Sequence, residues 1–341
     1  MSTMRDVARK AGVSPMTVSR VLSAPNLVHP ATRERVLAAM DKMHYVPKQV
    51  TKVSSSEVRS IALVVADFTN PFFTQIARGV EWVARRHGYG MTLHNTGEDP
   101  EREWESLIAI RETRASGVIW VPCGDTSSTS ARILLDADVP TVLVDRLIPG
   151  VPSFDAVISD NRIGAKAIVS TLLANHRNPI VAVMGQTVTS VVRDRLLGLQ
   201  DALADHHQTF DPTNVVYCDP IHPKEVLWSE IRPRVPSGGA VFAWNQIAAS
   251  AVFRAAKQDN VHPPEDVMIA TFDNPDPYGI TPGFFVVAQQ DPYKMGTESA
   301  NLLFRRLNQP NDPLKSTLIL PVSVHVGSQS ESPRSIVLEP S

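Results

Sequence analysis

Beyond residue 60 the chain alternates short apolar runs with helical stretches, and this alternation constrains its fold more than any other feature. Ile61-Ala62-Leu63-Val64-Val65-Ala66 is continuously apolar, as expected for a strand buried on both faces of a sheet. A helical stretch from Pro71 to His87 follows, with Ile76, Val80 and Val83 spaced to face inward. Strand-like runs recur at Met91–His94, Val118–Val121, Thr141–Val144 and Ala156–Ser159. A second series runs through Ile180–Met184, Val215–Tyr217, Ala240–Ala243, Met268–Phe272 and Phe285–Ala288. Repeated βα units predict doubly wound parallel sheets, and two series predict two lobes. In such folds ligands bind at the carboxyl ends of the strands. Lys315–Val326 is long enough to return across both lobes.

The N-terminal stretch reads differently. Thr3 followed by Asp6 has the spacing of a capping box, and Met4, Val7, Ala8 and Ala11 recur at helical spacing. Gly12 ends that helix, because glycine takes the left-handed conformation without a Cβ penalty. Ser14 caps a second helix with Pro15 at its first position. On it Val18, Val21 and Leu22 are expected inward, and Pro15, Met16, Ser19 and Arg20 outward. Pro30 opens a third helix with an apolar stripe of Val36, Leu37, Met40 and Met43, ended by Tyr45-Val46-Pro47. Two short helices about a tight turn form either an ordinary helical hairpin or a helix-turn-helix, whose second helix fits the DNA major groove.

Five short motifs bear on that choice. Arg5-Asp6-Val7-Ala8, Ala11-Gly12-Val13-Ser14, Thr17-Val18-Ser19-Arg20, Thr32-Arg33 and Tyr45-Val46-Pro47 together resemble the signature of the lactose-repressor (LacI/GalR) family of bacterial transcription regulators. The resemblance continues through nearly the whole chain. It implies an all-α DNA-binding domain over residues 1–46, a hinge over 47–60, and an α/β core over 61–327 similar to periplasmic binding proteins. The first lobe would take 61–160 with 290–317, the second 161–289 with 318–327. Residues 328–341 are Ser/Pro-rich and are expected to be disordered. Met4, Arg5, Ser14, Pro15, Met16, Thr17, Ser19 and Arg20 become the expected DNA contacts.

The hinge departs from its relatives. In the family this segment folds on DNA and wedges a leucine into the minor groove. Here Ser54 falls at the leucine position with Val53 beside it, and the segment is one residue shorter. It reads either as a flexible serine-rich tether or as a hinge with Val53 as a smaller apolar wedge.

Charge separates head from body. Residues 1–59 carry ten Lys/Arg against four Asp/Glu, a net of +6; the remainder carries 23 against 31, a net of −8, giving −2 overall. A basic head suits phosphate neutralisation, and an acidic body is repelled by DNA. Cys123 and Cys218 match no metal spacing and read as free thiols of a reducing compartment. No signal-peptide core and no apolar run near the roughly 18 residues of a membrane span occur, so a cytoplasmic protein without a membrane partner is expected. The dinucleotide, phosphate-loop, serine-hydrolase and zinc-protease motifs are all missing, and the ten histidines are scattered, which argues against an enzyme and against a cofactor.

Candidate effector contacts fall at strand ends. Asp67-Phe68-Thr69-Asn70-Pro71-Phe72-Phe73 follows the first strand; Phe72 and Phe73 serve either as core or as walls of the site. Asp145-Arg146 ends the fourth strand, either as an ion pair supporting a loop or as a ligand contact. The resemblance implies ligand roles for Arg195, placed by its distance from Gly198, and for Asn245, Asp273 and Gln290. Phe242-Ala243-Trp244-Asn245 is followed by Gln246 where the family has aspartate. Such a set suits a polyhydroxylated ligand, since it supplies donors, acceptors and aromatic faces. The expectation is therefore a repressor of a carbohydrate or sugar-acid operon, acting as a homodimer on double-stranded operator DNA under a small-molecule effector. A nucleoside, purine or sugar phosphate as co-repressor is the alternative; a solute-binding protein that does not bind DNA is a further one.

Overall fold

The computed structural model describes residues 3–23, 27–43, 45, 59–151, 154–223, 226–275, 285–310, 312–327 and 336–337. The chain forms two compact units, Met1–Glu57 and Val58–Ser341. Val53 and Ser54 lie outside the described residues.

In the first unit α1 (Met4–Ala11), α2 (Pro15–Ser23) and α3 (Pro30–Lys42) enclose a small core. Thr3 accepts a hydrogen bond from the Asp6 amide while the Asp6 carboxylate accepts from the Thr3 backbone, completing the capping box. Gly12 has φ 66°, and its N–H closes the last turn of α1. The core is built from Val7, Ala8, Ala11, Val18, Val21, Val36 and Ala39. Leu22 and Leu37, expected inside, are 37% and 44% exposed. For Leu37 the helical phase explains it. On α3, Val36, Ala39 and Met43 recur at spacings of three and four, and Leu37 stands about 100° away around the helix.

The second unit holds two sheets. The first lobe contains β1 (Ser60–Val65), α4 (Pro71–Arg86), β2 (Gly90–Asn95), α5 (Pro100–Glu112), β3 (Val118–Trp120), α6 (Ser127–Leu135), β4 (Thr141–Val144) and β5 (Asp155–Ser159). The second contains α7 (Asn161–Ala174), β6 (Ile180–Gly185), α8 (Ser190–Asp205), β7 (Val215–Cys218), α9 (Val226–Ile231), β8 (Gly239–Ala243), α10 (Gln246–Gln258), β9 (Val267–Phe272) and β10 (Phe285–Gln289). The chain then returns through α11 (Pro292–Asn308) and β11 (Thr317–Leu320) to the first lobe, and through β12 (Ser323–Val326) and β13 (Ile336–Val337) to the second.

Strand order is β11-β5-β4-β3-β1-β2 in one sheet and β13-β12-β10-β9-β8-β6-β7 in the other. All pairings of the first sheet are parallel; in the second, β12 and β13 add antiparallel strands. Two expectations change here. β11 pairs with β5 through Leu320, so the first lobe extends past the expected boundary at 317. Ile336 and Val337, expected in a disordered tail, pair with Val324 and Ser323, because β12 otherwise leaves an open sheet edge.

Close helix packing fixes the layers. A Cβ on Gly79 would fall onto the backbone of Tyr293 and Thr297, so the absence of a side chain lets α4 and α11 meet. Arg306 of α11 donates from Nε and Nη2 to Asp155 Oδ2 of β5 at 3.0 and 2.8 Å, and both side chains are buried. Among the described residues no helix is long and apolar enough to cross a membrane.

Candidate functional site

On the head, α2 presents Pro15, Met16 and Arg20 to solvent, with Met16 72% exposed and Ser19 and Thr17 half-buried. Ser14 accepts from the Thr17 amide at 3.1 Å, and the two hydroxyls lie 2.9 Å apart, so this pair fixes the helix start. Arg5 is exposed and Met4 is half-buried against the core. The outward set therefore combines one apolar side chain, one guanidinium and small polar groups, which suits a groove of base edges.

In the core, Phe72, Phe73, Asp145, Arg146, Arg195, Asn245, Asp273 and Gln290 all line one cleft at the carboxyl ends of the strands. The space among these side chains is partly open to solvent. Asp145 follows β4 and Asp273 follows β9, with φ 71° and 59°, so each lobe turns sharply at an aspartate. Each amide still bonds the neighbouring strand, Asp145 to Val157 and Asp273 to Ala288. Asn70 and Asn245 repeat the correspondence, accepting from the amides of Phe72 and Ala248 to cap α4 and α10. Phe72 and Phe73 meet edge to face at 5.2 Å and belong to the first lobe's core while lining the cleft.

Arg146 serves mainly its own lobe. Nη1 and Nη2 make a two-pronged pair with Glu98 at 2.7 and 2.6 Å, and Nη1 also donates to the carbonyls of Pro122 and Cys123. Burial alone would lower the guanidinium's pKa, but Glu98 and Asp145 together hold it above its ordinary value. Glu98 was missed in the sequence, although it lies just beyond the carboxyl end of β2.

Arg195 is differently placed. Nε donates to Asn161 Oδ1 at 2.8 Å, Nη1 to the Trp244 carbonyl, and the guanidinium lies 3.6 Å over the Phe272 ring. Its Nη2 makes no hydrogen bond among the described residues. Burial lowers its pKa to about 10, opposed by Asp145 and Asp273. Burial in turn raises Asp273 to about 6, against Arg195 and two hydrogen bonds from Gln290. Burial also raises Asp145, offset in part by Arg146 and Arg195.

The lobes touch across the cleft. Gln246 Nε2 donates to Asn70 Oδ1 at 2.6 Å, the Leu147 amide to Ser190 Oγ at 2.9 Å, and Arg193 to Asp125 at 3.2 Å. Cys123 and Cys218 are free and buried, which pushes both thiols up, Cys218 to about 12. No group of three or more metal-ligating side chains is assembled among the described residues.

A family model described as bacterial regulatory proteins of the lacI family matches residues 3–48. A second, described as periplasmic binding proteins and sugar binding domain of LacI family, matches residues 58–320. The chain belongs to the LacI family. It is similar to the ribose operon repressor of Bacillus subtilis, with 31% identity over 97% of this chain and 98% of that one. The HTH-type transcriptional repressor PurR of Photobacterium profundum is 28% identical over 91% and 93% of the two chains. Among solved structures, a transcriptional regulator CelR–cellobiose complex superposes with a TM-score of 0.70 at 26% identity, covering 96% and 99%. As a LacI-family member the chain is a DNA-binding transcriptional regulator with a small-molecule effector, and its architecture serves regulation, not catalysis.

Proposed function

We propose that this regulator represses a sugar-utilisation operon and responds to an uncharged sugar held between the lobes. The observation that carries this reading is the buried guanidinium of Arg195, which acts electrostatically on the buried Asp273 of the same cleft and whose Nη2 makes no hydrogen bond among the described residues. Asp145, Asn245, Gln290, Phe72 and Phe73 complete the contacts, and Arg146 braces the loop beneath them. Asp67, Glu98, Asp145 and Asp273 outnumber Arg146 and Arg195 in the lining. That balance disfavours a phosphate or carboxylate and favours hydroxyls. The relative named for the ribose operon makes ribose the first compound to try.

On DNA, Pro15, Met16, Ser19 and Arg20 read base edges while Met4, Arg5, Ser14 and Thr17 seat the helix on the backbone. A single head contacts few bases, so the working unit is a homodimer on a symmetric operator, each head taking one half-site. Effector binding changes operator affinity only by its differential affinity for the two lobe arrangements, about 1–3 kcal/mol in typical systems. The test is a melting-temperature screen against neutral sugars, sugar acids, sugar phosphates and nucleosides, followed by operator binding with each hit. A neutral sugar that stabilises the wild type but neither Arg195→Ala nor Asp273→Ala supports the reading. Wild-type affinity in both variants places the effector elsewhere.

A further inference from the structure

Five tryptophans occur in the chain, and their indole N–H groups are treated differently. Trp120 donates to Glu103 at 3.0 Å and Trp228 to Asp259 at 3.1 Å, while Trp82 and Trp104 are 42% and 47% exposed. Trp244 is only 5% exposed, lines the cleft, and its Nε1 has no partner among the described residues. An unpaired buried donor is costly enough that native structures rarely keep one without a use.

A second orphan stands in the same cleft. Gln290 is 5% exposed, and its Oε1 also lacks a partner among the described residues. Its orientation is determined by Asp273, whose Oδ2 receives Gln290 Nε2 at 2.7 Å. Turning the amide over would set its oxygen against a carboxylate, so Oε1 is the atom left for a ligand.

We propose that Trp244 sets effector specificity, its indole N–H and the Oε1 of Gln290 forming a donor–acceptor pair that uncharged hydroxyl groups satisfy. This rests on the effector reading above and adds a residue to it. An indole N–H only donates and an amide oxygen only accepts, whereas a hydroxyl does both. A phosphate or carboxylate at neutral pH answers Trp244 but brings no proton to Gln290. A deoxy position answers neither. The residue is held in two places: its backbone carbonyl accepts from Arg195 Nη1, and its six-membered ring lies close to Gly185, where an added Cβ would stand 3.2 Å from Trp244 Cζ2.

The experiment uses the full chain labelled with ¹⁵N at its indole nitrogens and titrated with D-ribose, D-xylose, D-glucose, D-ribose 5-phosphate and D-gluconate. The Trp244 resonance is the one lost in Trp244→Phe. A binding neutral sugar is expected to shift that resonance, and its affinity should fall about tenfold in Trp244→Phe, which keeps the aromatic wall and removes only the donor. A sugar that binds and alters operator affinity while the Trp244 resonance stays still overturns the inference and leaves the effector reading intact. An anion that binds more tightly than its neutral parent sugar overturns the uncharged-sugar reading and this inference with it. If no compound in the panel binds, the sugar reading fails and this pairing fails with it. The wild-type resonance decides the matter even if Trp244→Phe proves less stable.

Discussion

Gln246 Nε2 and Asn70 Oδ1 are 2.6 Å apart, joining the first turn of α10 to the cap of α4 across the cleft. The bond depends on Gln246 being an amide. An aspartate, the family's usual residue there, has no proton to give at neutral pH, and two acceptors would face each other. Gln246→Asp is therefore expected to loosen this contact between the lobes. One neutral hydrogen bond contributes about 1 kcal/mol net, roughly fivefold in an equilibrium. Energy transfer between dyes on the two lobes measures it, and unchanged transfer without effector would exclude a role for this bond in closure.

Replacing Arg146 should act on stability before it acts on recognition. Arg146→Met leaves Glu98 and Asp145 buried without their shared cation. Breaking a buried pair in this way costs roughly 3–5 kcal/mol. Denaturant unfolding of the two proteins checks it, and a loss below about 1 kcal/mol would return Arg146 to the class of exposed, dispensable ion pairs.

Asp273 gives a pH dependence of known sign. Its folded-state pKa is about 6, above the ordinary 3.8, so the folded chain holds the proton more tightly than the unfolded one. The stability it contributes is present at low pH and is lost as pH rises through 6. Effector binding should run the other way, because the carboxylate is the better acceptor for hydroxyls. Between pH 5 and pH 7, then, effector affinity should rise in the wild type while its melting temperature falls relative to Asp273→Asn. Parallel curves for the two proteins would show that Asp273 does not titrate in this window.

Arg20→Ala should relax operator choice. A guanidinium paired with guanine edges discriminates by about 1–3 kcal/mol. Competition between operator and random duplex at fixed salt reads the ratio directly. An unchanged ratio would move Arg20 to the backbone-contacting group.

The βα series was legible because a strand buried on both faces has to be apolar throughout; the strands from β1 to β10 lie within a residue or so of the expected runs, although the edge strand β2 is largely exposed and not apolar throughout. Asp145 stood out by the same logic, as an acid just past such a run, whereas Asp273 was marked by the family resemblance. What the sequence hid was pairing at a distance. Nothing near Arg146 indicates that its carboxylate partner is Glu98, 48 residues earlier. Trp244 was hidden for another reason: an aromatic residue just past an apolar strand reads as core, and only the absence of a partner for its N–H among the described residues points to a polar use. Leu22 and Leu37 show the opposite error, in which a large apolar residue at the edge of a stripe is taken for part of it.

The chain passes between the lobes three times: after β5, after β10, and between β11 and β12. Neither lobe is therefore a continuous piece of sequence. A single proteolytic cut at any one crossing leaves the lobes tied by the two remaining connections, and a chain that stops before Thr317 lacks an edge strand of the first lobe. A recombination that exchanges one lobe between relatives has to bring three junctions across together, whereas the head, joined only once, can be exchanged at a single junction.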